Sequence, residues 1–251
     1  MNDALRLAFG TMSALPVRPP RRVDRSVAGW AMGLGPLVGT ALGLAGLVAT
    51  LALREVFAPL LVAAIVVGVL GVATRLIHWD GLADTADGLG SGKEAEAALE
   101  IMRRSDIGPF GVFAIVLVFA VQVSALTELL AQRAVGGVLV GVVLGRSALV
   151  VACRRGVPAA RGVGLGWAVS GSVGAAQMAL GAGVAVVVTV LAVVADPGLG
   201  WPSSLVAAVL AVLWALAATA YLRRRLGGMS GDTLGALVET TTAVALSALA
   251  A

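Results

Sequence analysis

Polar and chemically versatile residues are scarce in this 251-residue chain: it has one cysteine, one histidine and one lysine, and only 13% of its residues are charged. Cys153 alone cannot close an intramolecular disulfide or build a thiolate cluster, and His78 alone excludes a multi-histidine metal site. Cys153 therefore reads as a small packing residue. So few charges also exclude an ordinary soluble domain. Aromatic residues make up only 4%, and no basic stretch is interleaved with them. The pI near 10.5 and net charge of +4 thus do not describe a nucleic-acid surface, and no nucleic-acid partner is expected.

What is abundant is apolar. Hydrophobic residues make up 59% of the chain and the mean hydropathy is +0.98. Apolar runs of about 20 residues, the length that crosses a bilayer core, recur along the sequence. The expected fold is all-α, a polytopic membrane bundle forming one domain over 1–251. About seven transmembrane helices are placed near 34–53, 56–74, 110–131, 134–152, 175–195, 204–222 and 234–251. Leu5, Phe9 and Met12 share a helical face, so segment 1–33 reads as cytoplasmic or interfacial. No small-residue cleavage site follows a signal-like run there, which predicts that the segment is retained.

Of the 18 basic residues, fifteen fall in the N-terminal segment and in connections 75–109, 153–174 and 223–233; the alternate connections hold only Arg54 and Arg133, and Arg146 lies within a span. The positive-inside rule then puts the N-terminus and the long segment 75–109 in the cytoplasm, with the C-terminus outside.

Segment 75–109 also holds seven of the fourteen acidic residues, which orientation does not explain. Asp80, Asp84 and Asp87 are spaced i, i+4, i+7 and share one face if the second span continues as a helix. Three carboxylates so placed are either a solvated helix end or a seat for a hard cation such as Mg²⁺, which takes carboxylates together with phosphate oxygens and water. Residues 93–104 read as a short amphipathic helix ending in Arg103 and Arg104, whose planar guanidinium groups suit a diphosphate or serve as membrane anchors. Two glycine-flanked arginine patches accompany them: 146–166, with Arg146 and Arg161, and 223–235. An arginine inside a span is costly, so Arg146 is expected to face the bundle interior or a polar cavity. Asp232 reads either as a fourth metal ligand or as the N-cap of the last helix. His78, beside Trp79 at the interface, is either an anchor or a substrate contact. GSGKE at 90–94 fails as a P-loop because Asp87 stands where the first glycine belongs and Glu94 follows Lys93. RGVGLG follows no predicted strand and is no dinucleotide fingerprint.

The strings WDGLADTADGLG, EIMRRSDIGPFGV, GR at 145–146, PAARGVGLG and GGMSGDTLGALVE together resemble the cobalamin synthase, or adenosylcobinamide-GDP ribazoletransferase, family from the N-terminal ALRLAFGTMSALPV to the last span. The resemblance implies a Mg²⁺-dependent enzyme of the final steps of cobalamin biosynthesis. Such an enzyme joins adenosylcobinamide-GDP to α-ribazole or its 5′-phosphate and releases GMP at the bilayer surface. It casts Asp80, Asp84, Asp87 and Asp232 as metal ligands, Asp84 and Asp87 as catalytic, and Arg103, Arg104, Arg146, Arg161 and His78 as substrate contacts. Other late enzymes of the same biosynthesis are expected as assembly partners. The Asp-rich string is also similar to that of CDP-alcohol phosphotransferases, but lacks their DGxxAR spacing. The alternative from another class is a transporter whose acidic trio binds a cation. Such sites sit near the bilayer midplane, whereas this trio is placed at the surface.

Overall fold

A computed structural model describes residues 2–251, and every regular element in them is an α-helix. In chain order these are α1 (Asn2–Met12), α2 (Arg25–Gly33), α3 (Gly35–Leu53), α4 (Pro59–Ala73), α5 (Ile77–Gly90), α6 (Ala95–Ile101), α7 (Pro109–Ala131), α8 (Gly137–Ala152), α9 (Gly164–Val169), α10 (Ala175–Ala195), α11 (Trp201–Leu226) and α12 (Gly231–Ala250). Proline opens α3, α4, α7 and α11, where its missing N–H costs nothing.

Five elements are long and apolar enough to cross a membrane: the 29-residue run Arg25–Leu53, α7, α10, α11 and α12. α4 is the apolar arm of a sixth candidate, bent by 91° from α5, and α8 is a shorter apolar helix of 16 residues. These seven correspond to the seven expected spans, so the chain is a multi-pass helical membrane protein. The first span begins earlier than its apolar run suggests. Asp24 caps α2 by accepting the Val27 N–H at 2.8 Å, and the helix opens on the exposed Arg25 and Ser26 before its buried face packs against α1.

Buried almost from end to end, α8 is the axis of the bundle. Its neighbours approach through glycines spaced by four residues, which fall on one helical face. A Cβ on Gly39 of α3 would lie 3.1 Å from the Val142 carbonyl oxygen, and one on Gly43 would lie 2.8 Å from Leu139. On the other side, Gly141 of α8 faces Leu246 and Gly145 faces Thr242 of α12. In lipid, where burial gives helices no net hydrophobic drive, such close backbone approach supplies the packing energy.

The second span does not run on into the acidic segment as the i, i+4, i+7 reading assumed. It breaks at Arg75 and Leu76, two non-glycine residues in left-handed backbone (φ 55° and 59°). Each such residue costs on the order of 1–2 kcal/mol, so tertiary contacts must hold the break. They do: the Arg75 guanidinium donates to the carbonyl oxygens of Gly10 (3.1 Å) and Ser13 (3.4 Å), and the Ala14 N–H donates to the Ala73 carbonyl at 2.6 Å. The N-terminal segment thereby fixes the angle at which α5 leaves α4.

Candidate active site

The carboxylates of Asp80, Asp84 and Asp87 lie on α5, which packs against α12 and α7 at the end of the bundle where those helices begin. Gly81 makes the first contact possible: a Cβ there would stand 2.6 Å from the Asp232 carbonyl oxygen. α5 thus lies directly against the start of α12, and Asp80, Asp84 and Asp232 come into one acidic group. Asp80 is exposed, while Asp84 and Asp232 are partly buried. Burial, reinforced by the neighbouring charges of Asp80, Asp232 and Asp87, raises the Asp84 carboxyl to about 7. Uncompensated anions at this density repel one another.

Asp87 stands apart from that group. Its Oδ2 accepts the Gly108 N–H at 2.7 Å and its Oδ1 accepts the Gly111 N–H at 2.9 Å. It thus satisfies free amides at the N-terminus of α7, an anchoring role across 21 and 24 residues of sequence. Asp87→Ala leaves those amides unpaired and removes a charge-assisted cap worth about 1–2 kcal/mol. A lower unfolding temperature in detergent is the expected result, measurable by the fluorescence of the five tryptophans.

The arginine patches are drawn to the same end. Loop 153–163 is stitched to the turn before α12, with the Ala160 N–H donating to the Met229 carbonyl (2.9 Å) and the Met229 N–H to that of Pro158 (3.0 Å). This brings Arg161 into the field of Asp232, Arg103 and Glu100, where its guanidinium donates to the Leu99 carbonyl of α6. α6 is the core of the expected amphipathic helix. Ala98, Leu99 and Met102 are buried, and Met102 packs over Gly88 of α5. Arg104 lies on the other side of α5, where it lines a cavity of about 630 Å³ together with Asp80, Asp84 and Asp106.

Two of the expected substrate contacts lie elsewhere. Arg146 and His78 are 2% and 6% exposed and sit inside the bundle around Glu239, whose Oε1 is 4.0 Å from Arg146 Nη2 and 3.7 Å from His78 Nδ1. Gln122 Nε2 donates to Glu239 Oε2 at 3.0 Å. Arg146 faces the bundle interior as its cost in lipid required, and its partner there is a carboxylate. The capping alternative for Asp232 falls away. Ser230 is the cap of α12, its Oγ accepting the Thr233 N–H (3.2 Å) while Thr233 Oγ1 accepts the Ser230 N–H (2.8 Å). Asp232 is thus relieved of capping. The Ser-x-x-Thr spacing was visible in the sequence beside the more conspicuous aspartate.

The family model described as cobalamin-5-phosphate synthase matches residues 4–250. The chain belongs to that family. It is 40% identical over 252 residues to the adenosylcobinamide-GDP ribazoletransferase of Nocardioides sp., with 100% of both chains covered. To the protein of the same name from Frankia casuarinae it is 42% identical over 259 residues, covering 98% of this chain and 93% of the relative. The Syntrophobacter fumaroxidans protein so named is 36% identical over 244 residues, with 97% and 96% covered. No solved structure matches the chain. In the family's terms, the acidic group, the stitched arginine loops and the cavity form one candidate site at one end of a membrane bundle.

Proposed function

We propose that this family member is an adenosylcobinamide-GDP ribazoletransferase whose active site is the α5–α12 acidic group. The observation that carries the reading is the meeting of Asp80, Asp84 and Asp232 with arginines on both sides of α5. Anion and cation donors so placed suit a diphosphate flanked by a metal-binding patch.

In the reaction, a ribose ring-hydroxyl oxygen that is free in both α-ribazole and its 5′-phosphate attacks the phosphorus that carries the cobinamide. A new P–O bond forms there, and the P–O–P link to the guanosine phosphate breaks. GMP leaves with the bonding electron pair, and the acceptor's proton passes to a carboxylate or to water. Arg104 and Arg161 would orient the diphosphate and offset charge on the departing phosphate. Asp84, whose carboxyl burial raises to about 7, is in its ionised form placed to accept the acceptor's proton.

The donor set fits Mg²⁺. All candidate ligands are carboxylates, and the crowding that raises Asp84 is what a cation among them would relieve. Among the described residues no three His, Cys, Asp or Glu side chains are grouped so as to hold a metal ion, so an ion here would take one or two carboxylates and complete its shell with water and phosphate oxygens. One or two of Asp80, Asp84 and Asp232 would hold it, and when bound it would supply neutralisation of diphosphate charge.

The test is GMP release and cobamide formation by purified, lipid-reconstituted protein given adenosylcobinamide-GDP and α-ribazole. Activity abolished by EDTA and restored by Mg²⁺ is the expected result, and folded wild-type protein without activity would refute it. The arginine distribution supports a cytoplasmic position for this end of the bundle, and we read the membrane as a bacterial inner membrane with other late enzymes of the same biosynthesis beside it. A periplasm-active reporter fused after Ala251 should therefore be active and a cytoplasm-active one silent; the reverse would contradict the orientation.

A further inference from the structure

The cavity beside Asp84 is two-ended. Its cytoplasmic end carries Asp80, Asp84, Arg104, Ser105 and Asp106, while the other end is walled by Val67, Gly68 and Gly71 of α4, Ile115 and Phe119 of α7, and Trp79 of α5. Helical periodicity produces this division. Gly68 and Gly71 of α4 are three residues apart, and Ile115 and Phe119 of α7 are four apart, so each helix turns one face inward. α5 roofs the space with Trp79 beside Asp80 and Ala83 beside Asp84, so an apolar residue adjoins each carboxylate. The Trp79 and Phe119 rings meet edge to face, their centroids 6.3 Å apart. At Gly68 a Cβ would meet nothing within 4 Å, so the wall is open there.

We propose that the apolar end is the seat of the acceptor's base, and that Gly68, Trp79 and Phe119 set which base the enzyme accepts; this rests on the ribazoletransferase reading above. Ribazole is a riboside of dimethylbenzimidazole, a fused aromatic ring with two methyl groups and a single ring nitrogen free to accept a hydrogen bond. It is the part of either substrate that gains most from apolar walls and loses least by having no polar partners. The donor's guanine would leave several donors and acceptors unpaired among Val67, Ile115 and Phe119. A corrinoid ring rimmed with amides exceeds a cavity of about 630 Å³, which has the dimensions of a drug-sized ligand site. With the base inserted between α4 and α7, the ribose points back toward α5, and its ring hydroxyls lie on the side of Asp80 and Asp84. The acceptor's base is thus read by membrane-spanning helices, which places the reaction at the bilayer surface.

Gly68→Leu grows a side chain into the open part of the wall. Equilibrium binding of radiolabelled α-ribazole to the detergent-solubilised protein should weaken roughly tenfold, the range a pocket achieves by refusing a methyl-sized group. Binding of the unmethylated benzimidazole riboside should weaken less than about threefold, and KM for adenosylcobinamide-GDP should be unchanged. Phe119→Ala, which enlarges the same space, should reduce the preference for the methylated over the unmethylated base. Equal weakening for both ribosides, or a change confined to adenosylcobinamide-GDP, would overturn the assignment. So would unchanged α-ribazole binding in both variants, which would leave a lipid chain as the occupant. A wild-type protein that binds α-ribazole with this discrimination but releases no GMP would instead count against the proposed reaction and leave the base seat standing.

Discussion

Asp84→Asn is expected to lower GMP release from adenosylcobinamide-GDP by a hundredfold to a thousandfold, the scale on which removing one electrostatic contributor from a preorganised site acts. The substitution keeps shape and removes charge. Asp84 is the central carboxylate of the α5 face, flanked by Asp80 and facing Asp232, and it lines the cavity to which Arg104 also contributes. An amide there cannot take the acceptor's proton and is a poor ligand for a hard cation. Its effect on folding should have the opposite sign. Burial and three neighbouring anions oppose ionisation at this position, so a neutral amide relieves repulsion, and the variant should melt at the same temperature as the wild type or higher. Lost activity in a protein of undiminished stability is the signature of a functional carboxylate whose placement costs stability. The measurement pairs initial rates of GMP release with thermal unfolding in the same detergent. An Asn variant that remains active would remove Asp84 from the site while leaving the family membership intact. An inactive variant that also unfolds early would mean that Asp84, like Asp87, holds the structure together.

The spans and the arginine bias were legible in the sequence because lipid enforces them: apolar length and basic loops are conditions for insertion, and each is a local property of the chain. The acidic group was half legible. The spacing of Asp80 and Asp84 puts them on one face of any helix, but the direction of that face depends on Arg75 and Leu76. Neither residue favours left-handed backbone, and what holds them there is a pair of carbonyls more than sixty residues away. Asp87 looked equivalent to its two partners, since nothing local announces amides at Gly108 and Gly111. The arginine patches at 161 and 223–225 read as separate, and only the pairing of Pro158 and Ala160 with Met229 brings the first of them to Asp232. The glycines at 35, 39 and 43 and at 141 and 145 are different: their four-residue spacing was plain to see, and they mark the faces along which α3, α8 and α12 meet.

Glu239→Ala should be the most destabilising single change in the bundle. Glu239 lies in the middle of α12 at 4% exposure, where it joins α7 through Gln122, α8 through Arg146 and the first turn of α5 through His78. Removing it leaves the Arg146 guanidinium enclosed without a counter-charge, and its Nε already has no hydrogen-bond partner. Breaking a buried pair in this way costs about 3–5 kcal/mol. Replacing both charges with apolar groups of similar length is a different experiment. Arg146→Met combined with Glu239→Met removes the unpaired charge together with its partner, so stability should recover to within about 1–2 kcal/mol of the wild type, as buried pairs do when repacked. Activity should not recover with it. His78 is separated from Asp80 by Trp79 alone, and among the described residues Glu239 is the only acidic group within ion-pair distance of its ring. Without Glu239, the first turn of α5 is left with apolar packing to set its rotation, and a rotated α5 carries Asp80 and Asp84 away from Asp232. The double variant should therefore unfold near the wild-type temperature but show a reduced kcat with little change in the KM for adenosylcobinamide-GDP. Full activity in that variant would show that α5 is oriented by Gly81, Asp87 and the Arg75 latch without the buried pair. A double variant as unstable as Glu239→Ala would show that the pair contributes more than the charge balance between its members.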